Sequence, residues 1–208
     1  MSLYSRLTEK SWERTAGEVA DPASYRPAAA RVAVIVYFGI ATVLFGLVSS
    51  AYLMRMGMSG MGHGAAGDWR PMPEPPLMWI NTVVLLLSSL AWEGARSGVR
   101  RGPIGRLRPM LIAAGALGLL FLAGQLLLWR EFAGAGYYLY TNPANAFFYL
   151  ITALHGAHLV GGLYFWARTM VGSRGGAEAV RLPVDLCAAY WHFLLLVWLI
   201  MLGLMIST

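Results

Sequence analysis

A single cysteine, Cys187, occurs in 208 residues. That excludes a disulfide framework and any paired-cysteine metal site. Charge is scarce too. Asp, Glu, Lys and Arg make up 12% of the chain, whereas a soluble domain carries about a quarter. No paired carboxylates, nucleophile–base couple or glycine-rich phosphate loop can be found, so no active site is legible. The N-terminal stretch "MSLYSRLTEKSWERTAGEVADPASYRP" lacks the basic-then-apolar order of a cleaved signal. It reads as a retained cytoplasmic tail over residues 1–30.

What is present is hydrophobic length. The chain is 58% hydrophobic, and crossing a bilayer takes about 20 apolar residues. Five windows qualify, at about 31–54, 77–97, 109–130, 144–167 and 184–206. The expected fold is therefore an all-α, multi-pass bundle of five transmembrane helices over 31–208. Prolines 76, 109, 143 and 183 sit at or before first turns, where the missing N–H costs nothing. Asn142 is placed to cap the fourth helix. Asp185 is placed in the first turn of the fifth, at the positive end of its dipole.

Thirteen of the sixteen basic residues fall on one side of this topology, in the tail and in the second and fourth loops. Only Arg55, Arg70 and Arg130 fall on the other. The positive-inside rule then puts the N-terminus in the cytoplasm and the C-terminus outside. Basic loops this short do not point to nucleic acid.

Three histidines lie inside the apolar windows. His155 and His158, in "ALHGAH", are three apart and share a helix face. His192 lies in "YWHF", seven residues after Asp185. If helices four and five pair, three imidazoles can converge on haem, zinc or copper. The other reading is polar packing or contact with lipid, since a polar group at membrane depth needs a partner. Ala153, Ala157 and Gly161 recur every four residues as a ridge of small side chains, roughly opposite the histidines, where a neighbouring helix can approach closely. Gly161→Leu is then expected to weaken assembly. Glu93, in "WEGAR", has Arg96 as an ion-pair partner three residues on. Gln125 and Asn81 read as interhelical hydrogen-bonding groups. Met54, Met56, Met58, Met61 and His63 form either a thioether site for Cu(I) or an irregular outer loop.

Several blocks in order carry a family resemblance: "VLFGLVSSAYL", "WINTVVLLLSSLAWEGAR", "LGLLFLAGQLLLW", "YLITALHGAHLVGGLYF" and "YWHFLLLVWLIML". Together they resemble subunit III of the haem–copper (cytochrome c) oxidases, in its short five-helix form, over residues 31–206. The resemblance implies a chain with no catalytic centre and no cofactor of its own, within an aa3/caa3-type oxidase of an aerobic respiratory chain in a bacterial cytoplasmic membrane. Haem and copper would reside in partner subunits. Subunit I would be the main contact, with subunit II and a cytochrome c domain in the same complex, and a larger respiratory supercomplex as a further level of association. In the family, subunit III holds phospholipid in a cleft and supports proton uptake and stability during O2 reduction. By that resemblance His155, His158, Trp191 and His192 have packing and lipid roles and are not haem ligands.

The departures from the family are three missing carboxylates. Thr42 stands near one expected position, Leu194 and Leu195 follow the Trp–His–Phe block, and in "QLLLW" leucines rather than a glutamate follow Gln125. Three other readings stay open: a stand-alone haem- or copper-binding membrane protein, the related accessory subunit of a nitric oxide reductase, and a small transporter.

Overall fold

A computed structural model describes residues 22–60, 69, 73–101, 107–173 and 177–207. Residues 1–21, Met61 and His63 lie outside the described set. Five helices follow one another: α1 Pro22–Gly60, α2 Pro76–Arg101, α3 Leu107–Gly134, α4 Pro143–Gly172 and α5 Ala177–Ile206. Each contains a stretch long and apolar enough to cross a membrane: Ala29–Met58, Pro76–Arg100, Leu107–Gly134, Pro143–Gly172 and Val180–Ile206. The five expected spans and the all-α class are borne out.

Asn142 caps α4 as expected. It sits in extended backbone (φ −153°, ψ 138°) and its side chain accepts from the Ala144 N–H. Pro143 follows at the first helical position. At α5 the expectation fails. The helix begins at Ala177, so Pro183 lies inside it and Asp185 is well past the first turn. The preceding "AEAVRL" is rich in good helix formers and carries the helix past its proline. Asp185 therefore meets side chains of α2 rather than the helix dipole.

Helices α2, α3, α4 and α5 form the bundle. α2 packs most extensively on α3 and then on α5, while α4 contacts both α3 and α5. α1 lies at the periphery against α5 and α4, and only 11% of its membrane-length window is buried, against 44% for α2 and α3. Its seam is aromatic. Phe38 stacks on Phe193 at 4.5 Å, and Tyr37 packs on Tyr190 at 5.4 Å. Phe45 and Tyr52 are buried against α4 and α5.

The core is pinned by indoles. Trp191 donates to Ser88 Oγ at 2.9 Å, and Ser88 donates on to the Ala114 carbonyl at 2.8 Å, linking α5, α2 and α3. Trp198 donates to Thr82 Oγ1 at 3.0 Å. Trp166 of α4 donates to the Leu111 carbonyl of α3 at 2.7 Å, and Trp129 of α3 donates to Thr152 of α4 at 3.0 Å. Glycines admit these rings. A Cβ at Gly115 would stand 2.1 Å from the Trp166 ring, and one at Gly162 would stand 2.7 Å from Tyr190 and 2.8 Å from Trp191.

Within this chain the small-residue ridge read from the sequence does not pack on another helix. Ala153 and Ala157 are exposed, and a Cβ at Gly161 would meet only the Tyr190 hydroxyl, 3.8 Å away. α4 buries the stripe through Phe148, Ile151, Thr152, His155, Leu159 and Gly162 instead. The ridge is also not opposite both histidines, because Ala157, His158 and Gly161 line one cleft together. Gly162→Ala is accordingly expected to cost about 1–3 kcal/mol through overpacking. Gly161→Ala should be neutral or stabilise by up to about 1 kcal/mol, since alanine is the better helix former. Thermal midpoints in detergent check both, and equal losses would sink the assignment.

Candidate functional site: a cleft, a buried histidine and a polar strip

The three histidines occupy three different environments. His158 is half-buried and lines a cleft of about 850 Å³ between α1, α4 and α5. Its Nδ1–H donates to the Leu154 carbonyl at 2.7 Å, which leaves Nε2 as the ring's acceptor. The Tyr190 hydroxyl donates to the His158 carbonyl at 2.6 Å and meets the Tyr37 hydroxyl at 3.0 Å. These bonds tie α5, α4 and α1 together along the wall of the cleft. Apolar side chains make up most of the remaining lining, with Arg168 as a cation on it and Gly161 opening its floor.

His155, one helical turn away, is 1% exposed. Its ring lies among Trp198 at 5.1 Å, Phe121 at 5.8 Å and Phe45 at 6.5 Å. Neither ring nitrogen has a hydrogen-bond partner among the described residues.

His192 belongs to a third place, a polar strip between α2 and α5. The Ser89 hydroxyl donates to its Nδ1, and its Nε2–H faces the Glu93 carboxylate at 3.3 Å. Glu93 in turn receives Arg96 Nη1 at 3.4 Å. Arg96 has a closer partner, Asp185, at 2.9 Å through Nε. Arg100 reaches the same Asp185 oxygen at 3.0 Å. Six residues thus form one continuous network, Ser89–His192–Glu93–Arg96–Asp185–Arg100.

The expected Glu93–Arg96 pair is present, but its main anchor was not foreseen. The available signal was spacing: Arg96 and Arg100 share a face of α2, and Asp185 and His192 share a stripe of α5. Only the α2–α5 pairing joins the two stripes. A convergent three-histidine site is not formed, since His192 turns to α2 while His155 is enclosed by aromatic rings. Among the described residues no group of three or more His, Cys, Asp or Glu side chains is arranged for a metal ion.

Trp191 is fully buried at the centre of the bundle, 5.3 Å from Trp92. Gln125 is buried without a hydrogen-bond partner for either amide atom among the described residues, so the expected interhelical bond is not made. Asn81 is buried too, with its carboxamide against Gly124. Thr42 is on the exposed face of α1 and donates to the Phe38 carbonyl at 2.7 Å.

No family model matches the chain. Several curated proteins do. A probable cytochrome c oxidase subunit 3 from Mycobacterium tuberculosis (strain ATCC 25618 / H37Rv) is 28% identical over 181 residues, covering 84% of this chain and 85% of that protein. The cytochrome c oxidase subunit 3 of Thermostichus vulcanus is 28% identical over 170 residues, covering 79% and 80%. That of Bacillus sp. (strain PS3) is 26% identical over 170 residues, covering 78% and 77%.

The chain is a homologue of cytochrome c oxidase subunit III. The resemblance read from the five sequence blocks holds over most of its length, in relatives from mycobacteria, a cyanobacterium and a Bacillus. In this subunit III homologue the three membrane histidines thus sit apart: His158 on the cleft, His155 among aromatic rings and His192 on the α2–α5 strip.

The strip yields a stability prediction. Its groups are a quarter to a half exposed, so solvent screens them and each pair contributes only up to about 1 kcal/mol. Asp185→Asn leaves Arg96 and Arg100 without their shared carboxylate. The thermal midpoint in detergent should fall at low salt, and the deficit should shrink at high salt. A midpoint that does not move at low salt would show the network to be dispensable.

Proposed function

We propose that this chain is the subunit III of an aa3/caa3-type haem–copper oxidase in a bacterial cytoplasmic membrane. The observation that carries the reading is the ordered similarity to subunit 3 proteins over about four-fifths of the chain. In this role it packs on subunit I, within a complex that also holds subunit II and a cytochrome c domain. Haem and copper belong to those partners, and this chain supplies no catalytic group to O2 reduction. The excess of arginine in the tail and in the α2–α3 and α4–α5 connections supports a cytoplasmic N-terminus.

Its own contribution is to hold lipid and stabilise the assembly. The α1–α4–α5 cleft suits an acyl chain: its walls are mostly apolar, and Arg168 can pair with a headgroup phosphate. For proton uptake, the strip offers the titratable groups Glu93, His192 and Asp185. Any carboxylate at the position of Thr42 is absent.

The test is a mild-detergent purification through an N-terminal tag. Co-purifying chains are identified and a haem spectrum is recorded before and after this chain is stripped away. Haem and O2 reduction should stay with larger partners, and the chain should emerge colourless. Pigment retained by the isolated chain would overturn the reading. A second measurement addresses the lipid. Gly161→Leu places a branched side chain in the cleft, so native mass spectrometry of the complex should show fewer bound phospholipids. An unchanged phospholipid count would remove the cleft from the proposal.

A further inference from the structure

Gln125 and His155 are the two buried side chains that have no protein partner for either of their polar atoms among the described residues: Nε2 and Oε1 of Gln125, and Nδ1 and Nε2 of His155. Their residues are 4% and 1% exposed. A buried polar atom with no hydrogen bond is costly, and most costly where lipid surrounds the protein. Two such side chains in one layer call for a ligand that can satisfy both.

The packing places them in one layer. His155 of α4 lies against Phe121 of α3, 5.8 Å between centroids. Gln125 is one turn beyond Phe121 on the same face of α3. One turn further, Trp129 bonds to Thr152 of α4. Gln125 therefore sits between two levels at which α3 and α4 touch, facing the α4 turn from Thr152 to His155. Trp198 of α5 closes the layer, 5.1 Å from both Phe121 and His155, with its N–H spent on Thr82. The Thr152 hydrogen is likewise spent on the Phe148 carbonyl at 2.7 Å. On the α2 side, Asn81 abuts Gly124, and its Nδ2 also lacks a partner among the described residues.

We infer that Gln125 and His155 form a buried water site between α3 and α4. A neutral imidazole has one donor and one acceptor, and a carboxamide has both kinds. A direct Gln125–His155 bond would satisfy one atom of each and leave the other two unmade. Water donates and accepts at once, and buried waters characteristically make about three bonds to otherwise unsatisfied groups. Two neutral ligands are too few for a metal cation. The α1–α4–α5 cleft is a different place, since its lining includes His158 but neither Gln125 nor His155. The inference stands on this layer alone and is independent of which complex the chain joins.

Hydroxyl-radical labelling of the purified assembly by X-ray pulses tests it, because radicals formed from a bound water mark the side chains beside it. Phe121 and Phe148 are equally buried, at 0% and 1%, but only Phe121 borders the proposed site. Labelling is expected at Phe121 and Trp198 and not at Phe148. It should be lost in the double variant Gln125→Leu, His155→Leu. Labelling of Phe121 no faster than Phe148 overturns the proposal, and so does labelling that persists in the variant. If the double variant fails to assemble, the comparison within the wild type decides by itself.

Discussion

An indole N–H left unbonded in a hydrocarbon interior is costly, and four tryptophans of this bundle avoid that cost by reaching across to another helix, while Trp92 Nε1 has no partner among the described residues. Trp191 and Trp198 fasten α5 to α2, while Trp129 and Trp166 fasten α3 and α4 to each other. Each ring needs room beside the facing backbone. Gly115 gives it to Trp166, and Gly162 gives it to Trp191 and Tyr190. Van der Waals packing without a hydrophobic drive between helices depends on such close approach. The order α3–α2–α5–α4 around the bundle follows from these ring placements.

Once α5 is fixed against α2, the chain's few polar groups are sorted by depth and side. The α2-facing side of α5 brings Asp185 and His192 to the arginines and Glu93 of α2. Its other side, with Tyr190, meets α4 and α1 and forms the wall of the cleft. α1 is held chiefly by stacked rings and the Tyr37–Tyr190 contact, so it borders a cavity rather than filling the core. The histidines of "ALHGAH" thereby divide. One faces the cleft with its backbone carbonyl held by Tyr190, and the other is sealed among aromatic rings.

Similarity to subunit III proteins and the internal chemistry agree in kind. Among the described residues no convergent ligand set is formed, and an apolar lateral cleft lies beside a bundle whose helices are tied together by side-chain hydrogen bonds. The same two histidines that looked like ligands in sequence answer different needs in the fold, and neither is brought together with His192.

The sequence by itself determined the five spans, the Asn142–Pro143 helix start and the Glu93–Arg96 pair. These depend on local runs of apolar residues, on caps and on spacing within one helix. The family resemblance was legible for the same reason, since it rests on ordered blocks. Only the tertiary structure decided which glycines are needed, because a ridge at every fourth residue looks the same whether it faces a ring, as Gly162 does, or a cleft, as Gly161 does. It alone decided that Asp185 serves Arg96 and Arg100 and that Ser89 supports His192. Each of those facts is a contact between helices far apart in the chain, and helical periodicity fixes a face without naming the face it meets.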